Sequence, residues 1–177
     1  MSRDLDRGPM NTATVATVLL WLLVVTLGIS VGAGLYEARI ELPRWLTYTD
    51  SAGYAWHAEE ARAANTGLRF WVYVTTGPLT LLTLASLIVV WRTTDELRRW
   101  WLIALAVLLV ERSMTFGFFI PTMVQLTNGS MPDAEAVATA LRWQNLNVVR
   151  HVASGSAFLL MLKAFSVLYA RRASSAV

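Results

Sequence analysis

The stretch Trp100-WLIALAVLLVERSMTFGFFIPTMVQ-Leu126 decides the fold. It is apolar almost throughout, and at about 1.5 Å rise per residue it exceeds the length needed to cross a hydrocarbon core of about 30 Å. Near its middle stand Glu111 and Arg112. Ionisable groups are costly in hydrocarbon and survive where they face a bundle interior, pair with one another or meet water. The pair therefore marks a polar interior. Three further runs meet the same length criterion, about Thr12–Tyr36, Leu68–Trp91 and Leu146–Ala170. The reading is an all-α, integral membrane four-helix bundle filling residues 1–177 as one domain, with short helices in its two outer loops.

Composition agrees. Of 177 residues 55% are hydrophobic and 15% charged, against about a quarter charged in soluble domains. The polar start and long first run read as a retained first helix rather than a signal peptide. The chain has no cysteine, which excludes disulfides, thiolate metal sites and electron transfer through cysteine pairs. A net charge of +3 would suggest nucleic acid in a soluble protein. Here it marks membrane edges, and no nucleic-acid partner is expected.

Arginines set the orientation. Arg3 and Arg7, Arg92 with Arg98 and Arg99, and Arg171 with Arg172 lie on one side of a four-span chain. The positive-inside rule makes that side cytoplasmic, with both termini there, in the cytoplasmic (inner) membrane. Trp91, Trp100 and Trp101 would anchor that edge, and Trp45, Trp71 and Trp143 the outer one. The outer segment Asp50–Thr66 reads as a short helix over the bundle mouth. Pro132-Asp133 opens a second outer helix, with acid in its first turn.

Several polar residues could carry chemistry. Gly28, Ser30, Gly32 and Gly34 are spaced for close helix packing. Glu37 and Glu41 lie one turn apart at the outer mouth, either as a solvated helix end or as a rim for a cation or substrate. Gly77-Pro78 should kink the second span and free a carbonyl. Glu111 and Arg112 point about 100° apart, so one should face the bundle centre while the other pairs with a neighbouring helix. Phe116, Phe118 and Phe119 supply aromatic walls. In the fourth run Asn147, His151 and Ser154 share a face beside Arg150. These groups form a polar funnel at the mouth, with Glu111 and Arg112 about 10–15 Å deeper. That shape suits a small lipophilic molecule with a few polar handles. The Glu-x-x-His motifs of di-iron bundles are absent. A haem held by two histidines would need His57 to descend from a loop to join His151. No cofactor or metal is expected.

The order of these segments resembles the anthrone-oxygenase-like family of small four-span membrane proteins. The shared features are Gly32-Ala33-Gly34-Leu35-Tyr36 and Glu41-Leu42-Pro43 at the end of the first run, Ile120-Pro121-Thr122 in the third, and Trp143 with Arg150 in the fourth. Many members carry histidine where this chain has Leu42 and Asn147. The resemblance implies oxidation of a small lipophilic aromatic or quinone-like substrate with molecular oxygen, without an evident cofactor. Glu111 or His151 would then take a proton, Arg112 and Arg150 would stabilise an oxyanion, and Asn147 would orient it. Tyr36, Glu37, Glu41, Phe118 and Trp143 would contact substrate. The competing expectation is a non-enzymatic lipophile-binding or transport-assisting protein, a homo-oligomer, or a subunit of a membrane complex, with the charges as structural pairs.

Overall fold

Four helices long and apolar enough to cross a membrane, Thr12–Trp45, Gly67–Arg92, Asp95–Asn128 and Asp133–Ala170, define a multi-pass bundle. The computed structural model describes residues 12–174, with side chains to residue 170. Arg3 and Arg7, and the side chains of Arg171 and Arg172, lie outside the described residues. The start of the first span meets the end of the fourth, where Trp21 Nε1 donates to Tyr169 Oη at 3.0 Å. The bundle thus has a terminal end and an opposite end carrying the longer connections.

Burial follows a stripe with steps of three and four residues. In the fourth span it runs Ala140, Trp143, Asn147, Arg150, Ser154, Ala157, Met161, Ala164. In the first it runs Ala16, Leu20, Leu23, Leu27, Ser30, Gly34, Glu37. That spacing is the one that packs helices near-parallel, side chains of one between those of the next. Both stripes are apolar toward the terminal end and polar in the middle. One apolar cluster, around Leu20, Leu23, Trp101, Leu108 and Met161, fills the terminal half. Another, around Leu42, Trp45, Phe119, Leu126 and Trp143, fills the opposite end. Large apolar residues such as Val25, Leu81, Ile88, Val110, Val152 and Leu159 point outward, as surfaces bathed in lipid do. The glycine expectation holds in part. A Cβ on Gly28 would touch Phe158 at 3.5 Å and one on Gly34 would meet His151 at 2.7 Å, whereas Gly32 faces open space.

Three spans widen into π-helical turns, at Glu37–Glu41, Gly67–Thr76 and Thr115–Phe119. Each ends with a backbone N–H reaching five residues back, from Leu42 to Glu37, Gly77 to Val72 and Ile120 to Thr115. The next residue in each case is a proline: Pro43, Pro78 or Pro121. Proline has no N–H and its ring crowds the preceding turn, and the wider turn accommodates it without breaking the span. The kink expected at Gly77-Pro78 is thus replaced by a ten-residue widened segment. Such turns are frequent at functional sites because they rotate side chains off the regular stripe.

The outer segments differ from expectation in two ways. The segment after the first span is chiefly a β-hairpin, Leu46–Thr49 paired antiparallel with Gly53–Trp56, and only Ala58–Ala64 is helical. The signals were a β-rich Leu-Thr-Tyr-Thr and Gly-Tyr-Ala-Trp around an Asp-Ser-Ala turn, closed by Gly53 at φ +75°. The second outer segment is no separate short helix. Its helix starts at Asp133, as expected, but runs unbroken to Ser174.

Candidate functional site

The centre of the bundle holds Arg150, buried and surrounded by three rings. Its guanidinium carbon lies 4.5 Å from the ring centre of Phe119, 5.5 Å from Trp71 and 6.0 Å from Trp143. A guanidinium over aromatic faces is held by the ring quadrupoles, most strongly when dehydrated. Glu37 supplies the countercharge, its Oε2 3.7 Å from Arg150 Nη2. Trp71 Nε1 donates to the other oxygen, Oε1, at 2.8 Å. Oε2 has no hydrogen-bond partner. The pair is therefore close enough to attract but too far apart to hydrogen-bond, and Oε2 is buried without a partner.

Beside this pair opens a cavity of about 360 Å³, walled by Trp45, Trp71, Phe119, Met123 and Trp143, with Glu37 and Arg150 on its lining. Behind it lies a void of about 10 Å³, room for about one water-sized molecule, bounded by Ser30, Glu111, Arg112, His151 and Ser154. Trp71, Thr76, Thr115 and Arg150 border both spaces. Trp71 and Thr76 come from the second π-helical turn, Thr115 and Phe119 from the third, and Glu37 begins the first. The widened turns thus deliver Glu37, Trp71, Thr76, Thr115 and Phe119, and the fourth span's regular stripe delivers Trp143 and Arg150.

Glu111 and Arg112 do not diverge as their helical angle suggested. Both are buried, and Arg112 Nε donates to Glu111 Oε2 at 2.6 Å. Thr115 Oγ1 donates to Glu111 Oε1 at 2.9 Å. The two long side chains curl together beside the Arg150 guanidinium, which borders the same void. Nor do they lie deeper than Arg150, since all three line the same void. The expected offset assumed a fourth helix starting near Leu146. It starts at Asp133, so Arg150 lies 17 residues from that end, just as Glu111 lies 17 residues from the third span's end at Asn128.

Of the residues picked out from sequence, Glu37, Trp143 and Arg150 meet at the cavity, and Glu111, Arg112 and His151 at the void. Asn147 is buried one turn before Arg150, with neither amide atom hydrogen-bonded. Three residues lie elsewhere. Tyr36 is exposed, one helical step off the buried stripe. Glu41 sits 3.8 Å from Arg44 and lines neither space. Phe118 packs edge-on against Phe119 and under the Arg142 guanidinium, so the next residue in the turn is the one that meets the cavity. Sequence reading took Trp71 for a membrane-edge anchor. It faces inward with Thr75, one turn on, inside the widened segment, a placement that counting along the sequence does not give. His57 stays in the hairpin segment, with Nε2 2.9 Å from Thr47 Oγ1, remote in the fold from His151. Among the described residues, no group of three His, Cys, Asp or Glu side chains could hold a metal ion. Leu42 is packed in the apolar cluster with Trp45.

A four-span helical bundle with a buried arginine–carboxylate pair facing an aromatic cavity is the class that fold and site define. Within that class, the anthrone oxygenase family model matches residues 68–160, and the chain belongs to that family. The match contains Trp71, Glu111, Phe119, Trp143 and Arg150, while Glu37 precedes it. No curated protein and no solved structure matches the chain.

Proposed function

We propose that the protein is a membrane oxygenase that converts a small lipophilic anthrone-type substrate to the corresponding quinone with molecular oxygen. The observation that carries this reading is the Glu37–Arg150 pair, facing an apolar, aromatic-walled cavity. Family membership supports the reaction class. Fold alone would not, because one fold hosts many chemistries.

The chemistry needs a base, a place for negative charge and a dry pocket. Glu37, the carboxylate on the cavity lining, takes a proton from the methylene carbon opposite the anthrone carbonyl. Negative charge then collects on the carbonyl oxygen, beside the Arg150 guanidinium. Preorganised cationic donors in a water-poor site stabilise such an oxyanion strongly. The carbanion gives its electron pair to dioxygen, forming a carbon–oxygen bond, and the peroxide takes the proton back from Glu37. Loss of the second carbon-bound hydrogen as a proton, with cleavage of the O–O bond, yields the ketone and one water. One dioxygen is consumed per quinone and no other reductant is required. Glu111 and His151 are the bases expected from sequence. They border the rear void, where with Arg112 and Thr115 they back Arg150. Asn147 is buried one turn before it.

The test is oxygen uptake by the purified protein in lipid nanodiscs with a hydroxyanthrone, corrected for spontaneous oxidation in empty nanodiscs. Uptake with quinone formation is expected from the native chain. Glu37→Gln should lose about 10²–10⁴-fold, the usual worth of a positioned base, and Arg150→Ala at least as much. Uptake no faster than empty nanodiscs would reject the reaction for that substrate and favour a binding role. Full activity in Arg150→Ala would remove the arginine from it.

A further inference from the structure

The aromatic cavity differs in chemistry between two parts of its lining. Toward the hairpin end it is rimmed by Arg62, Asn65 and Thr66. Arg62 lies across this rim, with Nε donating to the Thr127 carbonyl at 2.7 Å and Nη1 to Glu59 at 3.0 Å. It thereby ties the short helix Ala58–Ala64 to the end of the third span. The other part lies between the second and third spans. Leu68, Val72, Ile120 and Val124 line the cavity there, yet they are 51%, 40%, 36% and 61% exposed. A side chain that both lines a cavity and faces outward is the full thickness of the wall at that point, and these four side chains are apolar.

Its level can be counted from the terminal end. Arg92 and Trp100 mark that membrane edge. A hydrocarbon core takes about 20 helical residues, which reaches Val72 on the second span and Ile120 on the third. Leu68 and Val124 stand one turn further, at the height of the headgroups. Amphipathic aromatic rings collect at this depth, as Trp and Tyr do in membrane proteins. The exposed rings of Tyr36 and Tyr73 lie at the same end of the bundle.

We propose that the slot between the second and third spans is a lateral portal, through which an uncharged, hydroxylated polycyclic aromatic passes directly between bilayer and cavity. This rests on the ligand class proposed above. It adds that the ligand arrives from the lipid and not through the Arg62 rim. A cavity fed from the membrane would respond to the ligand's concentration in the bilayer, and its apolar product would leave without crossing water.

The absence of cysteine makes the test clean. Single variants Val72→Cys, Val124→Cys, Leu81→Cys and Arg62→Cys are placed in nanodiscs and modified with a benzyl thiosulfonate, which a thiol reductant removes. The readout is the association rate of a dihydroxyanthraquinone, followed by quenching of tryptophan fluorescence, so it does not depend on turnover. Benzylation at residue 72 or 124 is expected to slow association at least 10-fold, reversibly. Modification at Leu81, which is lipid-facing but off the cavity, should leave the rate unchanged. Slowing at residue 62 with none at 72 and 124 would overturn the portal in favour of entry from water. Oxygen uptake on the same samples keeps the two proposals apart. Turnover that is insensitive to benzylation at 72 and 124 sinks the portal and leaves the oxygenase reading standing. Failure of the unmodified chain to bind the probe would sink the portal together with the ligand class.

Discussion

Replacing Glu111 and Arg112 together should do far less harm than replacing either alone. The two are 3% and 8% exposed, so each charge has given up its water and depends on the other. Arg112→Met would leave Glu111 with the Thr115 hydroxyl as its one remaining hydrogen-bond partner. Breaking a buried pair in this way costs about 3–5 kcal/mol. Glu111→Leu would strip the acceptor from Arg112 Nε and from Thr115, while Arg112 Nη1 already has no partner. A similar loss of about 3–5 kcal/mol is expected. Independent effects would sum to roughly 6–10 kcal/mol, enough to unfold most domains. Apolar residues of similar volume need no partner, so the double variant should fall within about 2 kcal/mol of the native chain, a coupling of at least about 4 kcal/mol. The net charge of the void is also unchanged, because the two groups act on Arg150 with opposite signs. Turnover of the double variant should therefore drop much less than that of Arg150→Ala. Denaturant titration of the four proteins in mixed micelles gives the cycle, and oxygen uptake gives the activity. A double variant destabilised by the sum of the singles, within about 0.5 kcal/mol, would refute the idea that the pair is mutually compensating. Activity as low as that of Arg150→Ala would return Glu111 or Arg112 to the chemistry itself.

Two further predictions concern backbone approach. In Gly34→Ala the new methyl would stand 2.7 Å from His151 Nε2, so the ring must move. Overpacking of this kind costs about 1–3 kcal/mol, read as a lower unfolding midpoint, and His151→Ala in the same chain should restore most of it. In Gly77→Ala the methyl would stand 2.9 Å from the Val72 carbonyl oxygen, which cannot move without disturbing the widened turn that presents Trp71. That variant should lose stability and turnover together. Gly32→Ala, facing open space, should be neutral or gain about 0.5–1 kcal/mol from helix propensity. Equal behaviour of the two alanines would remove the close approach as the reason for Gly77.

By itself the sequence determined four spans, because spanning length and apolar content are properties of contiguous chain. It also marked Arg150 as a candidate, since a polar residue set among apolar ones must find an interior, and it placed Glu37 at the outer mouth, while Trp143 entered through the family resemblance. The prolines at 43, 78 and 121 announced disturbed helix, but not its form. Only the tertiary structure decided that each is absorbed by a π-helical turn, because widening needs neighbours that let Glu37, Thr76 and Phe119 rotate inward. Likewise Trp71 and Phe118 could not be sorted into wall and periphery by counting, since one extra residue in a turn shifts every later side chain by about 100°. The common depth of Glu111 and Arg150 depended on where the fourth helix begins, a boundary fixed by packing against the hairpin end and invisible in hydropathy. Charge pairing was decided the same way. Adjacent residues on a helix point apart, and only the lack of any nearer countercharge within the bundle turns Arg112 back onto Glu111.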